Sequence, residues 1–287
     1  SMLKIDAHQH YWNPARGDYG WMPKDHPVLT RSYGPADLTP LLEGHGIAKT
    51  VLVQAAQSVE ETEYLLGIAD ASPSVLAVVG WIDFESRDHL RHLQRLAKHK
   101  KFAGVRPMIQ DIADDNWMLR DDVQWALAAI ADLNLTFDAL GFPRHLKNFL
   151  TIFKRYPALR AVVDHCMKPQ IGNDGMDDPG YSDWAEGMAR IAGETSAFCK
   201  LSGIVTETKG GWSVEKLRPY ASHVLSAFGE DRVMWGSDWP VCLLEASYTQ
   251  WHEAALALCN GLGEEGKAKV FGGNAMTFYG RGFIPAS

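Results

Sequence analysis

The chain has 287 residues, of which 28 are Lys or Arg and 35 are Asp or Glu, so its formal net charge is −7. Hydrophobic residues make up 46% and charged residues 22%, which excludes a mainly disordered chain. The acidic balance argues against nucleic-acid and anionic-membrane partners, since both require a concentrated basic surface. No apolar run approaches the roughly 20 residues that span a bilayer, and residues 2–6 carry charge too early for a signal peptide. We therefore expect a cytoplasmic protein and interpret Ser1 as a tag remnant.

Eight short apolar segments alternate with longer stretches of helical periodicity along the chain. The predicted strands are Lys4–His8, Thr50–Gln54, Val75–Ile82, Ala103–Arg106, Leu135–Asp138, Ala161–His165, Ala197–Leu201 and Val233–Gly236. The predicted helices are one beginning near Asp37, then Glu60–Ala69, Asp88–Ala97, Val123–Ala131, Arg144–Arg155, Tyr181–Ile191, Leu217–Ala227 and Glu245–Leu258. This alternation predicts an α/β fold, a (β/α)₈ barrel forming one domain over residues 1–287. A doubly wound open sheet is the alternative, but no strand is followed by a GxGxxG or P-loop motif.

The first predicted strand runs into two histidines. In a (β/α)₈ barrel, functional groups sit at the carboxyl ends of the strands. Because strand side chains alternate, Asp6, His8 and His10 are expected on one face, pointing into the barrel mouth. Two imidazoles placed there can ligate a metal or donate converging hydrogen bonds. The alternative is a pair of histidines with a purely structural role.

Strands four, five and seven end in further polar residues. Arg106 emerges just before Pro107, where its guanidinium offers a fixed fork of donors to a carbonyl, carboxylate or developing oxyanion. The alternative for Arg106 is an ion pair with Asp138, which ends strand five, or with another carboxylate. Lys200 on strand seven is a weaker signal, because a paired or solvated lysine explains it equally well.

Strands six and eight end in the groups best suited to acid–base chemistry. His165 is expected to face the mouth, and Cys166 beside it to face the other way, which argues against a Cys–His nucleophile. Asp238, after strand eight, would lie across the mouth from strand one, where it can take a proton from water or bind a metal. The alternative for Asp238 is a helix cap.

Five motifs in chain order carry a family resemblance. They are Asp6-Ala7-His8-Gln9-His10-Tyr11-Trp12, Val163-Asp164-His165 with Lys168-Pro169, Lys200-Leu201-Ser202-Gly203, Trp235-Gly236-Ser237-Asp238-Trp239-Pro240, and Gly273-Asn274-Ala275 with Phe278-Tyr279-Gly280. Together they resemble the amidohydrolase superfamily, in particular its amidohydrolase-related subgroup and the sugar lactonases of the L-fuconolactonase and L-rhamnonolactonase type. The resemblance implies a cytoplasmic hydrolase of carbohydrate catabolism that opens a sugar lactone such as L-fucono-lactone to its aldonate.

The resemblance also implies roles for individual residues. Asp238 would be the general base and then the acid for the ring oxygen, while protonated His8, His10 or His165, with Arg106, would polarise the carbonyl. The residues expected to bind the sugar are Trp21, Gln54, Trp81, Arg106, Asp138 and Lys168, with Trp212 and Trp239 as further aromatic candidates.

The same residues limit the metal content. Two-metal amidohydrolases need a bridging Lys or Glu on strand four and histidines on both strands five and six, where this chain has Arg106 and Asp138 on strands four and five. At most one Zn²⁺ is expected, held by His8, His10, His165 and Asp238, and the resemblance implies that it is not required. A one-zinc amidohydrolase or decarboxylase is the main alternative, and a sugar-acid binding protein is a second. The oligomeric state stays open.

Overall fold

Residues 2–281 are described by the computed structural model, and they contain one sheet of eight parallel strands in the order β1 to β8. The strands are β1 (Lys4–Gln9), β2 (Ile47–Val53), β3 (Val75–Gly80), β4 (Phe102–Val105), β5 (Thr136–Ala139), β6 (Arg160–Val163), β7 (Phe198–Leu201) and β8 (Val233–Trp235). All eight strands overlap the predicted segments, and Ser1 lies outside the described residues. The predicted (β/α)₈ barrel is therefore confirmed.

Helices follow the strands and cover the outside of the sheet. They are α1 (Pro35–His45), α2 (Val59–Ala71), α3 (Leu90–Leu96), α4 (Gln124–Asp132), α5 (Leu146–Arg155), α6 (Tyr181–Glu194), α7 (Val214–Phe228), α8 (Tyr248–Leu258), α9 (Gly263–Ala268) and α10 (Asn274–Tyr279). Side-chain caps begin several of them: Ser58 accepts from the backbone N–H of Glu61 at the start of α2, and Ser213 does the same for α7. None of these helices is long and apolar enough to cross a bilayer.

Alternating strand residues divide the core into two layers. The inner layer fills the barrel with small and branched side chains such as Val51, Val79 and Val162. Phe278 and Tyr279 of α10 also belong to this inner layer. The outer layer joins the other strand faces to the surrounding helices. Both faces of every strand are thus covered, as expected for strands that are almost continuously apolar.

The sheet closes between β8 and β1 at the carboxyl ends of the strands. The backbone N–H of Asp238 donates to His8 O at 2.8 Å, and that of His10 donates to Trp239 O at 2.8 Å. These two bonds set the loop after β8 directly against the end of β1. The seam therefore brings Asp238 next to the two histidines of β1.

A break in register along β1 overturns one expectation about its side chains. Asp6 pairs with Thr50, but Gln9 pairs with Leu52, so β1 carries one residue more than β2 over this stretch. As a result Asp6 does not share a face with His8 and His10. Its carboxylate instead accepts from the backbone N–H of Ser237 at 2.9 Å and from the Tyr248 hydroxyl at 2.9 Å. Asp6 thus ties β1 to the loop after β8 and to α8.

We predict that Tyr248→Phe lowers the free energy of unfolding more at pH 8 than at pH 5. Burial raises the pKa of Asp6 from 3.8 to about 6, although its hydrogen bonds act in the opposite direction. Ionised Asp6 therefore lowers the free energy of unfolding above pH 6, and this cost disappears as the pH falls toward 3.8. The hydrogen bond from Tyr248 offsets the cost only while Asp6 is charged. Urea unfolding should show a loss of about 1–3 kcal/mol at pH 8 and a smaller loss at pH 5.

Tyr220→Phe is the matched control. Tyr220 donates to Asp178 at 2.7 Å, and although burial opposes ionisation, hydrogen bonds lower the pKa of Asp178. Asp178 therefore stays charged from pH 5 to pH 8, and the loss in Tyr220→Phe should be equal at both values. Equal losses at both pH values for Tyr248→Phe would contradict the role given to Asp6.

Candidate active site

A cavity of about 180 Å³ opens where the strands end. Its lining includes both polar and apolar side chains, so a bound molecule would meet both kinds of surface. The polar lining consists of His10, Arg106, Gln110, Asp111, His165, Lys168 and Asp238. The apolar lining consists of Trp12, Trp21, Leu29, Ala55, Met108, Leu140, Val241 and Leu244.

Asp238 lies at the centre of three imidazoles. Its Oδ1 atom is 3.2 Å from His10 Nε2, 3.7 Å from His8 Nε2 and 3.8 Å from His165 Nε2. Although burial opposes ionisation, His165 and His10 hold the pKa of Asp238 at about 2. The structure thus brings together the four residues that the sequence singled out, around one ionised carboxylate oxygen.

Two of these imidazoles are uncharged at neutral pH. Burial lowers the pKa of His165 to about 3, and burial together with the charge of Lys200 lowers that of His8 well below 6.5. The expectation that protonated His8 or His165 polarises a carbonyl is therefore corrected. A neutral imidazole still has one N–H, so both residues remain able to donate a hydrogen bond.

The contacts of His10 restrict what lies between it and Asp238. His10 Nδ1 is 2.8 Å from Val53 O, and because a carbonyl only accepts, Nδ1 carries a proton. Burial lowers the pKa of His10 and so favours a neutral ring, which turns the lone pair of Nε2 toward Asp238 Oδ1, also an acceptor. A cation bound between these two atoms would relieve this contact. A backbone carbonyl behind a histidine is also the usual support for a metal-ligating imidazole.

The loop after β6 presents His165 through an unusual backbone. Residues 165–168 all have positive φ, between 50° and 61°, although none of them is glycine. Each such residue costs roughly 1–2 kcal/mol relative to a right-handed turn. Buried contacts offset that cost: Trp184 Nε1 donates to Cys166 O at 2.8 Å, and Ser202 Oγ lies 2.7 Å from His165 Nδ1. As expected, His165 faces the mouth while Cys166 packs in the outer core.

Arg106 is held by Gln54 at one edge of the cavity. Its Nε donates to Gln54 Oε1 at 2.8 Å, and one terminal nitrogen donates to Gln54 O at 2.7 Å. Its other terminal nitrogen lies 3.6 Å from Asp164. Among residues 2–281 its ion-pair partner is therefore Asp164 and not Asp138, so the alternative of an ion pair with a carboxylate is confirmed for Asp164. Gln54 was expected to bind sugar, but its contacts make it the residue that orients Arg106.

Beneath the cavity lies a fully buried charged layer. Lys200 Nζ donates to Asp138 Oδ2 at 2.8 Å, and Tyr279 donates to Asp138 Oδ1 at 2.6 Å. Although burial opposes it, the Lys200 charge lowers the pKa of Asp138. Burial and the Asp138 charge raise the pKa of Asp164 well above its ordinary value. Asp138 is thus committed to this layer, below the cavity in which it was expected to bind substrate.

The predicted sugar-contacting residues divide between cavity and scaffold. Trp21 and Lys168 line the cavity, where Trp21 Nε1 donates to Ala55 O and Lys168 Nζ donates to Gln110 Oε1. Three tryptophans lie elsewhere, which corrects their expected role: Trp81 packs against His89, Trp212 donates to Glu245 O, and Trp239 packs against Tyr33. The sequence interpretation missed Trp12, although it belongs to the first motif, and also Gln110 and Leu140.

The separations between these donor atoms can be compared with those around a tetrahedral zinc ion. Ligand atoms around a tetrahedral zinc lie about 3.3 Å apart, given bonds of about 2.0–2.2 Å. The separations of 3.2 Å and 3.8 Å from Asp238 Oδ1 to His10 Nε2 and His165 Nε2 approach this value. His8 Nε2 is also close, and it is a buried atom without a hydrogen-bond partner among the described residues. The residues present therefore fit a single metal ion.

Comparison with known proteins gives a consistent result over nearly the full chain. The profile of a family described as amidohydrolase matches residues 5–281. An L-fucono-1,5-lactonase from Burkholderia ambifaria is 42% identical over 282 residues, covering 96% of this chain and 95% of that protein. An L-fucono-1,5-lactonase from Burkholderia multivorans is 33% identical over 292 residues, covering 96% of each.

A solved structure shares the architecture. It is an amidohydrolase from Burkholderia multivorans, determined in one crystal form with bound HEPES and in another with bound zinc. The TM-scores are 0.89 and 0.88, at 32% identity over 96% of this chain and 99% of that one.

We predict that Gly203→Ala is more destabilising than Gly210→Ala, because Gly203 packs against the ring of His165. Both glycines have positive φ, 66° and 75°, so alanine is strained at either position. A Cβ atom at Gly203 would lie 2.6 Å from His165 Nδ1, whereas one at Gly210 meets no atom within 4 Å. Chemical unfolding should show losses of about 1–2 kcal/mol for Gly210→Ala and an additional 1–3 kcal/mol, approximately, for Gly203→Ala. Equal losses would mean that the His165 ring is free to move.

Proposed function

Because the chain belongs to the amidohydrolase family, we propose that it is a hydrolase that opens a sugar lactone of the L-fucono-1,5-lactone type to its aldonate. The names of the two Burkholderia relatives support this substrate class. The observation that carries the proposal is an ionised carboxylate, Asp238, among three imidazoles and beside Arg106 in an otherwise largely apolar cavity. Lactone hydrolysis needs a base for water, donors for the carbonyl oxygen and an acid for the leaving alkoxide, and this cavity has a candidate for each.

Asp238 begins the reaction as general base. It takes a proton from a water molecule as the water oxygen bonds to the lactone carbonyl carbon. The low pKa of Asp238 keeps it ionised at neutral pH, and its exposed fraction of only 5% limits competition from bulk water. A base this weak is adequate because a strained cyclic ester is a reactive electrophile. The left-handed backbone of Asp238, with φ at 55°, is held by its seam bond to His8 O.

Arg106 and the imidazole N–H groups stabilise the oxyanion that forms on the carbonyl oxygen. Gln54 fixes the Arg106 guanidinium by two hydrogen bonds, so the remaining N–H groups are oriented before substrate binds. Preorganised donors in a water-poor cavity contribute more than the same donors in water. The oxyanion then collapses, the bond from the carbonyl carbon to the ring oxygen breaks, and protonated Asp238 returns its proton to that oxygen.

The mixed lining of the cavity suits a sugar with a deoxygenated end. Gln110 and Lys168 line the cavity and can bind ring hydroxyls. Leu140, Met108 and Trp12 also line it and offer apolar surface, against which burial of a methyl group is favourable. A 6-deoxyhexonolactone carries both hydroxyls and a methyl group and therefore matches both kinds of lining residue.

A metal ion has a defined place in this site but is not required by the proposal. The residues that would hold it are His8, His165 and Asp238, whose ligand atoms lie within 4.8 Å of one another, with His10 beside Asp238. When bound, a zinc ion supplies Lewis-acid polarisation of the carbonyl and a more acidic bound water. Without it, the reaction uses the donors already described.

A lactone panel tests the proposed function. Pentono-, hexono- and 6-deoxyhexono-lactones would be followed in a pH-stat, with untreated protein and with exhaustively chelated protein. We expect the 6-deoxyhexonolactones to be hydrolysed fastest and most of the activity to persist after chelation. Activity that disappears on chelation and returns with one zinc per chain would favour a one-zinc hydrolase. No turnover of any lactone would contradict the proposal.

Asp238→Asn tests the base. The amide keeps the shape of the side chain but cannot take a proton, so kcat on the fastest lactone should fall at least ~10²-fold. Asp111→Asn is the matched control, because Asp111 lines the same cavity but lies outside the cluster of imidazoles. Near wild-type turnover by Asp238→Asn would exclude Asp238 as the base.

A further inference from the structure

The ammonium group of Lys200 lies inside a cluster of potential metal ligands. Its Nζ is 2.8 Å from Asp138 Oδ2, 3.0 Å from His8 Nδ1 and 3.6 Å from Asp164 Oδ1. All four side chains are completely buried. This cluster is separate from Asp238, because it uses the Nδ1 side of the His8 ring, whereas Asp238 lies on the Nε2 side.

Without the lysine, the same three groups have the composition and spacing of a cation site. His8, Asp138 and Asp164 each offer one ligand atom, and these atoms lie within 4.8 Å of one another. An imidazole and two carboxylates are a donor set suited to zinc and similar divalent ions. In this chain Lys200 of β7 supplies the positive charge that such a donor set requires.

We propose that the Lys200 ammonium is an internal cation that replaces a metal ion among His8, Asp138 and Asp164, and that its hydrogen bond to His8 Nδ1 makes His8 Nε2 a hydrogen-bond donor on the Asp238 side of the ring instead of a metal ligand. Lys200 is thus a positioning residue that acts through His8. The inference concerns the resting protein and does not depend on the proposed lactonase function.

Hydrogen-bond chemistry determines which ring nitrogen of His8 carries the proton. A lysine ammonium has three donors and no acceptor, so His8 Nδ1 must accept and is unprotonated. The proton of the ring then lies on Nε2. His8 Nε2 has no hydrogen-bond partner among the described residues and lies 3.7 Å from Asp238 Oδ1, which is longer than a hydrogen bond. Its N–H is therefore left without an acceptor among the described residues.

His8 and His10 consequently carry protons on opposite ring nitrogens. His10 Nδ1 faces the carbonyl of Val53 and is protonated, which leaves the lone pair of its Nε2 facing Asp238, where it can bind a metal. If His8 bound a metal through Nε2, its proton would have to move to Nδ1, where it would face the ammonium at 3.0 Å. Two facing donors are unfavourable, so Lys200 opposes metal binding at His8 Nε2, which otherwise lies close enough to His165 and Asp238 to share an ion with them.

Nitrogen-15 NMR of the metal-free wild-type protein tests the tautomer directly. Two-bond correlation spectra distinguish a protonated Nδ1 from a protonated Nε2, and His8→Gln and His10→Gln variants serve only to assign the signals. We expect an Nε2–H tautomer for His8 and a protonated Nδ1 for His10. A His8 ring protonated on Nδ1 would overturn the proposal, even if lactone hydrolysis were confirmed.

Zinc affinity provides the second test. Lys200→Met removes the donors while keeping a side chain of similar length, which frees His8 Nδ1 to take the proton and Nε2 to bind metal. Competition with a chromophoric chelator should show zinc bound at least ~10-fold more tightly than in the wild type, the scale on which supporting contacts tune metal sites. A merely structural role for Lys200 predicts no gain, since a damaged fold does not improve a metal site.

Lys168→Met separates this effect from general electrostatics. Lys168 lines the cavity and is also a cation, but its Nζ is bonded to Gln110 and not to His8. Its removal should change zinc affinity much less than Lys200→Met does. Equal gains in the two variants, or no gain in folded Lys200→Met, would overturn the proposal. Should Lys200→Met fail to fold, the tautomer of wild-type His8 decides the question alone.

Discussion

Two backbone hydrogen bonds across the seam between β1 and β8 determine the geometry of the active-site cavity. The backbone N–H of Asp238 donates to His8 O and that of His10 donates to Trp239 O, so the closing contact of the barrel and the contact between the proposed base and its histidines are made by the same residues. Asp6 reinforces this seam from the helix side, through Ser237 and Tyr248. The geometry of the proposed site is therefore a consequence of barrel closure.

Backbone strain is concentrated at the same end of the barrel. Asp238 and residues 165–168 have positive φ without glycine, and both segments carry cavity residues. Such conformations persist only where surrounding contacts outweigh their cost. The contacts here are buried: Cys166 and Met167 pack in the outer core, and Trp184 donates to Cys166 O. Trp184 of α6 thus stabilises the loop that orients His165, although Trp184 does not line the cavity.

Much of this arrangement could be predicted from the sequence, and the predictions that were wrong have identifiable physical reasons. Apolar strands alternating with helices indicated the barrel, and the rule that functional groups follow strand ends selected His8, His10, His165 and Asp238. The predicted face of Asp6 was wrong because strict alternation of strand side chains does not anticipate a break in strand register. Trp81 does not line the cavity, as was predicted, because the direction of a loop side chain depends on tertiary packing. The partnership of Asp138 with Lys200 joins residues 62 positions apart, and only the closed barrel brings them together.

The buried layer beneath the cavity explains how the site tolerates so many charges. Carboxylates in a low-dielectric interior require compensation, and an unpaired one would be neutralised by protonation. Asp138 is compensated by Lys200 and Tyr279, and the raised pKa of Asp164 shows the direction taken by a carboxylate with weaker partners. Arg106 and Lys200 both approach Asp164, at 3.6 Å each, so this residue links the cavity donor to the internal cation. A lysine on β7 therefore performs two tasks at once: it balances the charge of the barrel interior and orients the imidazole above it.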